Sequence, residues 1–209
     1  MSKSEYKIIN KNKNLIVSFG GSALQFGNIL PFEFLNYLSS IYINHCDLIF
    51  FIDDHQCWYH KGIKDITSNI DETTLYLNNI IKDENYEKII YLGTSSGGYA
   101  AILFGSICNN VTHVISFVPQ TIIKNPINLN YSNLKNIINE NTKYILHGNE
   151  SITDINDVHH ISQCVNIACF TNVKIIKNKG FYNLKELRDN GFIKKIIDNI
   201  IFETSVDKL

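Results

Sequence analysis

No apolar run in this chain approaches the ~20 residues needed to cross a bilayer. Its first 14 residues, polar and rich in lysine, do not resemble a secretory signal. Neither sign of charge is in excess: 19 lysines and arginines face 20 acidic residues, for a net charge of −1. No broad basic field is therefore available to draw nucleic acid or an anionic membrane surface. The five cysteines (46, 57, 108, 164 and 169) are odd in number and lack metal-ligand spacing, which argues against both a disulfide framework and a zinc site. Reduced, buried thiols in a cytoplasmic protein are the economical expectation. Prolines number only three, and there are no repeats, low-complexity tracts or linkers to mark a second domain. A single domain over residues 1–209 is expected, with a core of substantial size and no cofactor.

What the chain does have is a regular alternation of short apolar runs with segments of helical period. Continuous apolar runs at 15–19, 48–52, 88–92, 113–118, 142–146 and 172–176 read as strands buried on both faces. A weak edge strand is expected near residues 6–9. Helical spacing occurs at 32–42 after Pro31, at 71–81, at 99–107, at about 132–139 and at 157–168. A long closing helix over 184–202 is interrupted near Gly191. Strands and helices in this order predict a three-layer α/β/α architecture around a mostly parallel sheet of about six strands.

The most informative stretch is Gly93-Thr94-Ser95-Ser96-Gly97-Gly98, between the strand-like run ending at Leu92 and the helix-like run from Tyr99. It has the form G-x-S-x-G in a strand-to-helix setting, where a tight turn lifts a serine hydroxyl above the sheet edge. The following helix aims its N-terminal amides at that position, which favours negative charge. Ser95 is thus the candidate nucleophile, and Ser96 fits the register less well. The Gly20-Gly21-Ser22 loop after the first core strand also lies at a strand carboxyl end, where ligands to parallel sheets bind. The expected oxyanion donors are the amide of Ser96 and one from this loop, assigned to Gly21.

The turn at Ser95, its order in the sheet and the Gly-Gly loop resemble the α/β-hydrolase superfamily in a short form. The stretch Trp58-Tyr59-His60-x-Gly62, the run Gly97-Gly98-Tyr99-Ala100-Ala101 with Phe104-Gly105, and Phe117-x-Pro119-Gln120-Thr121 resemble one bacterial group more closely. So does Leu187-Arg188-Asp189-x-Gly191, and the similarity spans roughly residues 47–200. Its members are small hydrolase-like domains found beside glycosyltransferase or tetratricopeptide-repeat modules in surface-polysaccharide loci. The resemblance implies a minimal α/β-hydrolase fold; the Ser95 turn and the Gly20-Gly21 loop point to a serine esterase or acyltransferase acting through a Ser95 acyl-enzyme, with a small-molecule or glycan acyl substrate. It places the acid after the fifth strand, where D-x-x-H matches Asp157-Val158-His159-His160, with Asp154 as the alternative.

The base is where the chain departs from that pattern. The resemblance puts a histidine in the loop at 178–183, but Phe181 occupies its place and no histidine follows His160. A relocated histidine beside Asp157 is one solution, with His160 assigned and His159 as the alternative. His60, from the loop after the second strand, is another. The third is no base at all, leaving a binding or scaffold domain. His45, His113 and His147 read as structural, and Asp53-Asp54-His55 is too short a cluster to indicate a metal. Trp58, Tyr59, Tyr99 and Gln120 are the expected lining of the substrate site, since aromatic faces suit sugar rings.

Overall fold

A computed structural model describes residues 4–22, 32–82, 84–179 and 184–202. Seven strands form one sheet in the order β1-β3-β2-β4-β5-β6-β7. They are β1 (Glu5–Ile8), β2 (Asn14–Phe19), β3 (Cys46–Phe51), β4 (Lys88–Thr94), β5 (His113–Phe117), β6 (Lys143–Asn149) and β7 (Val173–Asn178). Only β1 runs antiparallel, pairing the edge of β3; every other neighbour is parallel. The helices are α1 (Leu35–Tyr42), α2 (Ile70–Lys82), α3 (Ser96–Ile107), α4 (Ser162–Val165), α5 (Leu184–Asp189) and α6 (Phe192–Ile201). The expected α/β class is what the chain forms, with the edge strand as a full seventh member.

Because side chains alternate across a strand, each buried strand feeds two cores. Leu15, Val17 and Phe19 of β2 join Ile89 and Tyr91 of β4 in a cluster shared with α2 and α3. Ile16, Ile90 and Leu92 point the other way, into a cluster closed by α1 and α6. The sheet is thus covered on both faces, which is why its strands lack a polar alternation.

The chain leaves β2 for β3 on one side and returns to β4 on the other. The crevice between the carboxyl ends of β2 and β4 is therefore the topological switch point, the usual ligand site of such sheets. Gly20 and Ser95 flank it. Phe19, the last residue of β2, is locked by rings on every side: Phe51 at 5.7 Å, Tyr59 at 5.6 Å, Tyr91 at 5.4 Å and Phe104 at 5.5 Å. Such pairs contribute about 0.5–1.5 kcal/mol each beyond burial, so the loop that follows Phe19 leaves a fixed point.

Three helical expectations change. The helix expected over 32–42 begins only at Leu35, because Phe34 takes a left-handed φ of 67°. Of the segment 157–168 only Ser162–Val165 is α-helical. Asp154, Asp157 and His160 accept nearby backbone amides through their side chains, and these local bonds compete with helix propagation. The segment 132–139 yields a short 3-10 turn at Leu134–Ile137. The closing helix is divided as expected, with Gly191 at φ 75° between α5 and α6. Phe181 lies outside the described residues.

Candidate active site

Ser95 sits between β4 and α3 at φ 55° and ψ −118°, a backbone conformation that costs a non-glycine residue about 1–3 kcal/mol. Neighbours over-determine it: its amide donates to the Phe117 carbonyl at 2.9 Å, and its own carbonyl receives the Tyr99 amide at 2.9 Å. The turn closes only because its flanks lack side chains. A Cβ on Gly93 would run into the Gly97 carbonyl, and one on Gly97 into the Phe19 carbonyl. The G-x-S-x-G spacing is thus a steric requirement of bringing β4, α3 and the end of β2 together.

The Ser95 hydroxyl lies 2.8 Å from Nε2 of His159. Of the two adjacent histidines, then, His159 and not His160 meets the serine. His160 instead accepts the Ser162 amide at Nδ1, at 3.1 Å, and so caps the start of α4. Asp157 supports His159 loosely. Its Oδ1 accepts the His159 backbone amide at 2.7 Å and stands 3.8 Å from Nδ1 of the ring. That second separation is too long for a hydrogen bond. Asp154 is spent on the Asn156 amide at 2.9 Å.

His60 is removed from the chemistry. Buried, it accepts the Asn128 amide at Nδ1 (3.1 Å), which leaves Nε2 to donate to the Tyr99 hydroxyl at 2.8 Å. Tyr99 donates its hydroxyl hydrogen bond to the Tyr131 carbonyl at 2.7 Å. Burial holds the His60 pKa below its ordinary value. Tyr59 is also core, its hydroxyl bonded to the Gly20 and Phe51 carbonyls. Neither Tyr59 nor Tyr99 lines a surface, contrary to expectation, because both rings are needed to seat the loops beneath the site. Asp53 accepts the amides of Cys57 at 2.8 Å and Tyr59 at 3.0 Å, which shapes the Trp58 loop.

Trp58 and Gln120 do stand at the site. The Trp58 indole N–H donates to Gln120 Oε1 at 2.6 Å, and Gln120 Nε2 lies 3.0 Å from the Ser95 hydroxyl. Both belong to a cleft of about 190 Å³ that also takes in Ile122, Ile155, Val158 and Gln163. Ile122, Ile155 and Val158 leave much of their apolar surface exposed at its rim.

On the opposite side, the Gly21 amide points to Glu33 Oε2 at 3.3 Å, and the Ser22 and Ser96 hydroxyls meet at 2.7 Å. Ser96 opens α3, so its amide has no acceptor within the helix. Enclosure pushes the Glu33 carboxyl up to about 7, with the Gly21 amide and the neighbouring Thr94 hydroxyl acting against that rise. Glu33 was not legible beforehand. It sits 12 residues beyond Gly21 in no recognisable motif.

No family model and no curated protein sequence matches the chain. Solved structures do. A capsule O-acetyltransferase of Neisseria meningitidis serogroup A is similar at a TM-score of 0.61 and 16% identity, covering 93% of this chain and 90% of that one. Thermogutta terrifontis esterase 2 is similar at 0.58 and 13% identity, over 95% of this chain and 88% of its own. A bifunctional GH43-CE protein of Bacteroides eggerthii matches at 0.60 and 14% identity; the chain covers 35% of that protein's length. A mouse α/β-hydrolase domain-containing protein matches at 0.59 and 14% identity, over 96% and 94% of the two chains. In element order, sheet and elbow alike, this chain has the α/β-hydrolase fold.

Proposed function

We propose that the protein is a serine acyl hydrolase or acyltransferase working through a Ser95 acyl-enzyme, on small acyl esters of a carbohydrate. The observation that carries this reading is the 2.8 Å contact between the Ser95 hydroxyl and His159 Nε2. A serine hydroxyl is a weak nucleophile until a base stands within such reach. In the proposed reaction Oγ attacks the ester carbonyl while its proton passes to Nε2 of His159. The carbonyl electron pair becomes an oxyanion facing the Ser96 amide, with the Gly21 amide as second donor once Glu33 yields it. Collapse expels the sugar alkoxide, which takes the proton back from His159. Water, or another hydroxyl, then accepts the acyl group by the same steps in reverse. Asp157 favours the transient imidazolium by its charge.

Two further observations support the substrate class. The cleft lined by Gln120, whose amide reaches Ser95, presents Trp58 and apolar side chains, suited to a sugar face and a short acyl group. Neighbours in fold include a capsule O-acetyltransferase and an acetyl ester-xyloside bifunctional hydrolase of Caldicellulosiruptor lactoaceticus. A binding domain without turnover is the second reading, favoured by the Glu33 carboxyl resting on the Gly21 amide. Labelling with a fluorophosphonate and mapping the adduct decides between them. Modification at Ser95 that disappears in Ser95→Ala and falls steeply in His159→Ala supports the acyl-enzyme. A folded protein left unlabelled at neutral and alkaline pH refutes it.

A further inference from the structure

We infer that Trp58 and Gln120 form a positioning pair that fixes His159 in the tautomer with Nε2 free to accept a proton. The inference deepens the acyl-enzyme reading and rests on it for its consequence in rate, but its geometry stands independently.

An indole N–H can only donate. The Gln120 atom 2.6 Å from Trp58 Nε1 is therefore the amide oxygen, and the amide NH₂ must face the other way. There it meets two groups, the Ser95 hydroxyl at 3.0 Å and His159 Nε2 at 3.4 Å. A serine oxygen that accepts from Gln120 still has its own proton to give, and Nε2 at 2.8 Å is the acceptor in reach. A proton on Nε2 would instead oppose both the Gln120 NH₂ and the serine proton. The donors point in one direction, from Trp58 through Gln120 and Ser95 to His159, and the ring proton is left on Nδ1. That is the side on which Asp157 stands.

In serine hydrolases the acid commonly sets this tautomer by a direct bond to the ring. Here Asp157 is 3.8 Å from Nδ1, its side chain is 42% exposed, and its nearer oxygen already holds a backbone amide. The task passes to the other face of the ring. Gln120, by contrast, is buried. Its orientation is imposed by backbone held in unfavourable regions on both sides: Trp58 at φ 56° and Tyr59 at φ 60°, and β-branched Val118, two residues before Gln120, at φ 41°. Strain of this kind persists only where surrounding structure enforces it, and it clusters at functional sites. Two charged groups stand near the ring among the described residues. Asp157 lies on its own loop, and Lys124 lines the cleft that Gln120 and Val158 share.

Nitrogen NMR of the full chain labelled at histidine tests the pair, since Nδ1 and Nε2 shifts report tautomer and protonation directly. Wild type is expected to show His159 with the proton on Nδ1. Trp58→Phe, which keeps the ring but removes the donor, should move the signal toward a tautomer mixture. Gln120→Glu should raise the ring's pKa, because a carboxylate replaces a donor dipole beside Nε2. In turnover of an activated acetyl ester, Trp58→Phe should lower kcat about tenfold with KM little changed, the scale of one hydrogen bond. A merely structural pair would alter stability without moving the tautomer. The proposal fails if wild-type His159 carries its proton on Nε2, or if cooperatively unfolding Trp58→Phe and Gln120→Glu variants leave both the tautomer and the titration unchanged. A protein inert to fluorophosphonate but showing the expected shifts would overturn only the acyl-enzyme reading.

Discussion

The imidazole of His159 meets the hydroxyl of Ser95 at 2.8 Å across 64 residues of chain, from the loop after β6 rather than the loop after β7. The contact gives the elbow a partner and determines which substitutions should matter.

Replacing His159 by Ala is expected to lower kcat by about 10²–10⁴, the usual contribution of a positioned base. His160→Ala should stay within about threefold of wild type, since its ring serves the Ser162 amide, whose loss costs ~1 kcal/mol of stability. Asp157→Asn should fall between them, because the carboxylate acts on the ring across 3.8 Å without a hydrogen bond. Steady-state hydrolysis of an activated acetyl ester by the three purified variants checks the order. Equal losses at 159 and 160 would contradict it.

Gly97→Ala is expected to destabilise the fold by ~1–3 kcal/mol or more, since the added methyl meets the Phe19 carbonyl and backbone must shift. Gly191→Ala has open space around its Cβ but a φ of 75°, so its penalty should be smaller and purely conformational, about 1 kcal/mol. Urea unfolding of both, compared through the midpoint at constant slope, distinguishes steric from conformational cost.

Glu33 should make the folded state less stable as pH rises. Its folded pKa of about 7 lies above the ordinary 4.5, so between these values the native state binds more protons than the unfolded one. Stability conferred by the neutral carboxyl is complete below pH 4.5 and declines as pH climbs through about 7, by on the order of 3 kcal/mol in full. Glu33→Gln should remove that decline and be the more stable protein at pH 8. Denaturant titrations at pH 5, 6.5 and 8 measure it; parallel curves for wild type and variant would count against the assignment.

His113 and His147 carry the opposite sign. Burial lowers both pKa values from 6.5 to about 4, aided at His113 by Lys143 and Lys88. Each contributes stability above pH 6.5 that is lost as pH falls through about 4. His147 packs against Phe117 at 5.8 Å and Phe192 at 5.4 Å, and protonation would place a charge between those rings. His147→Asn is expected to be less stable at pH 7 but to lose less on acidification to pH 4. Thermal melts across that range, normalised to pH 7, provide the comparison.

The sequence by itself determined the architecture. Runs apolar on both faces could be covered only by helices on both sides of a parallel sheet, and the glycines around Ser95 left room for a turn too tight for side chains. The resemblance drew attention to the loop after β6, and the side-chain bonds of Asp154, Asp157 and His160 there stay within two residues. Which histidine reaches the serine was decided by tertiary structure alone. His159 and His160 are neighbours of equal chemistry, and only the turn at 154–160, set against the carboxyl ends of β4 and β5, sends one ring to Ser95 and the other to the start of α4. The same holds for Trp58, Gln120 and Glu33. Their partners lie 62, 25 and 12 residues away, and no periodicity or spacing encodes a hydrogen bond between loops that meet only after the sheet has formed.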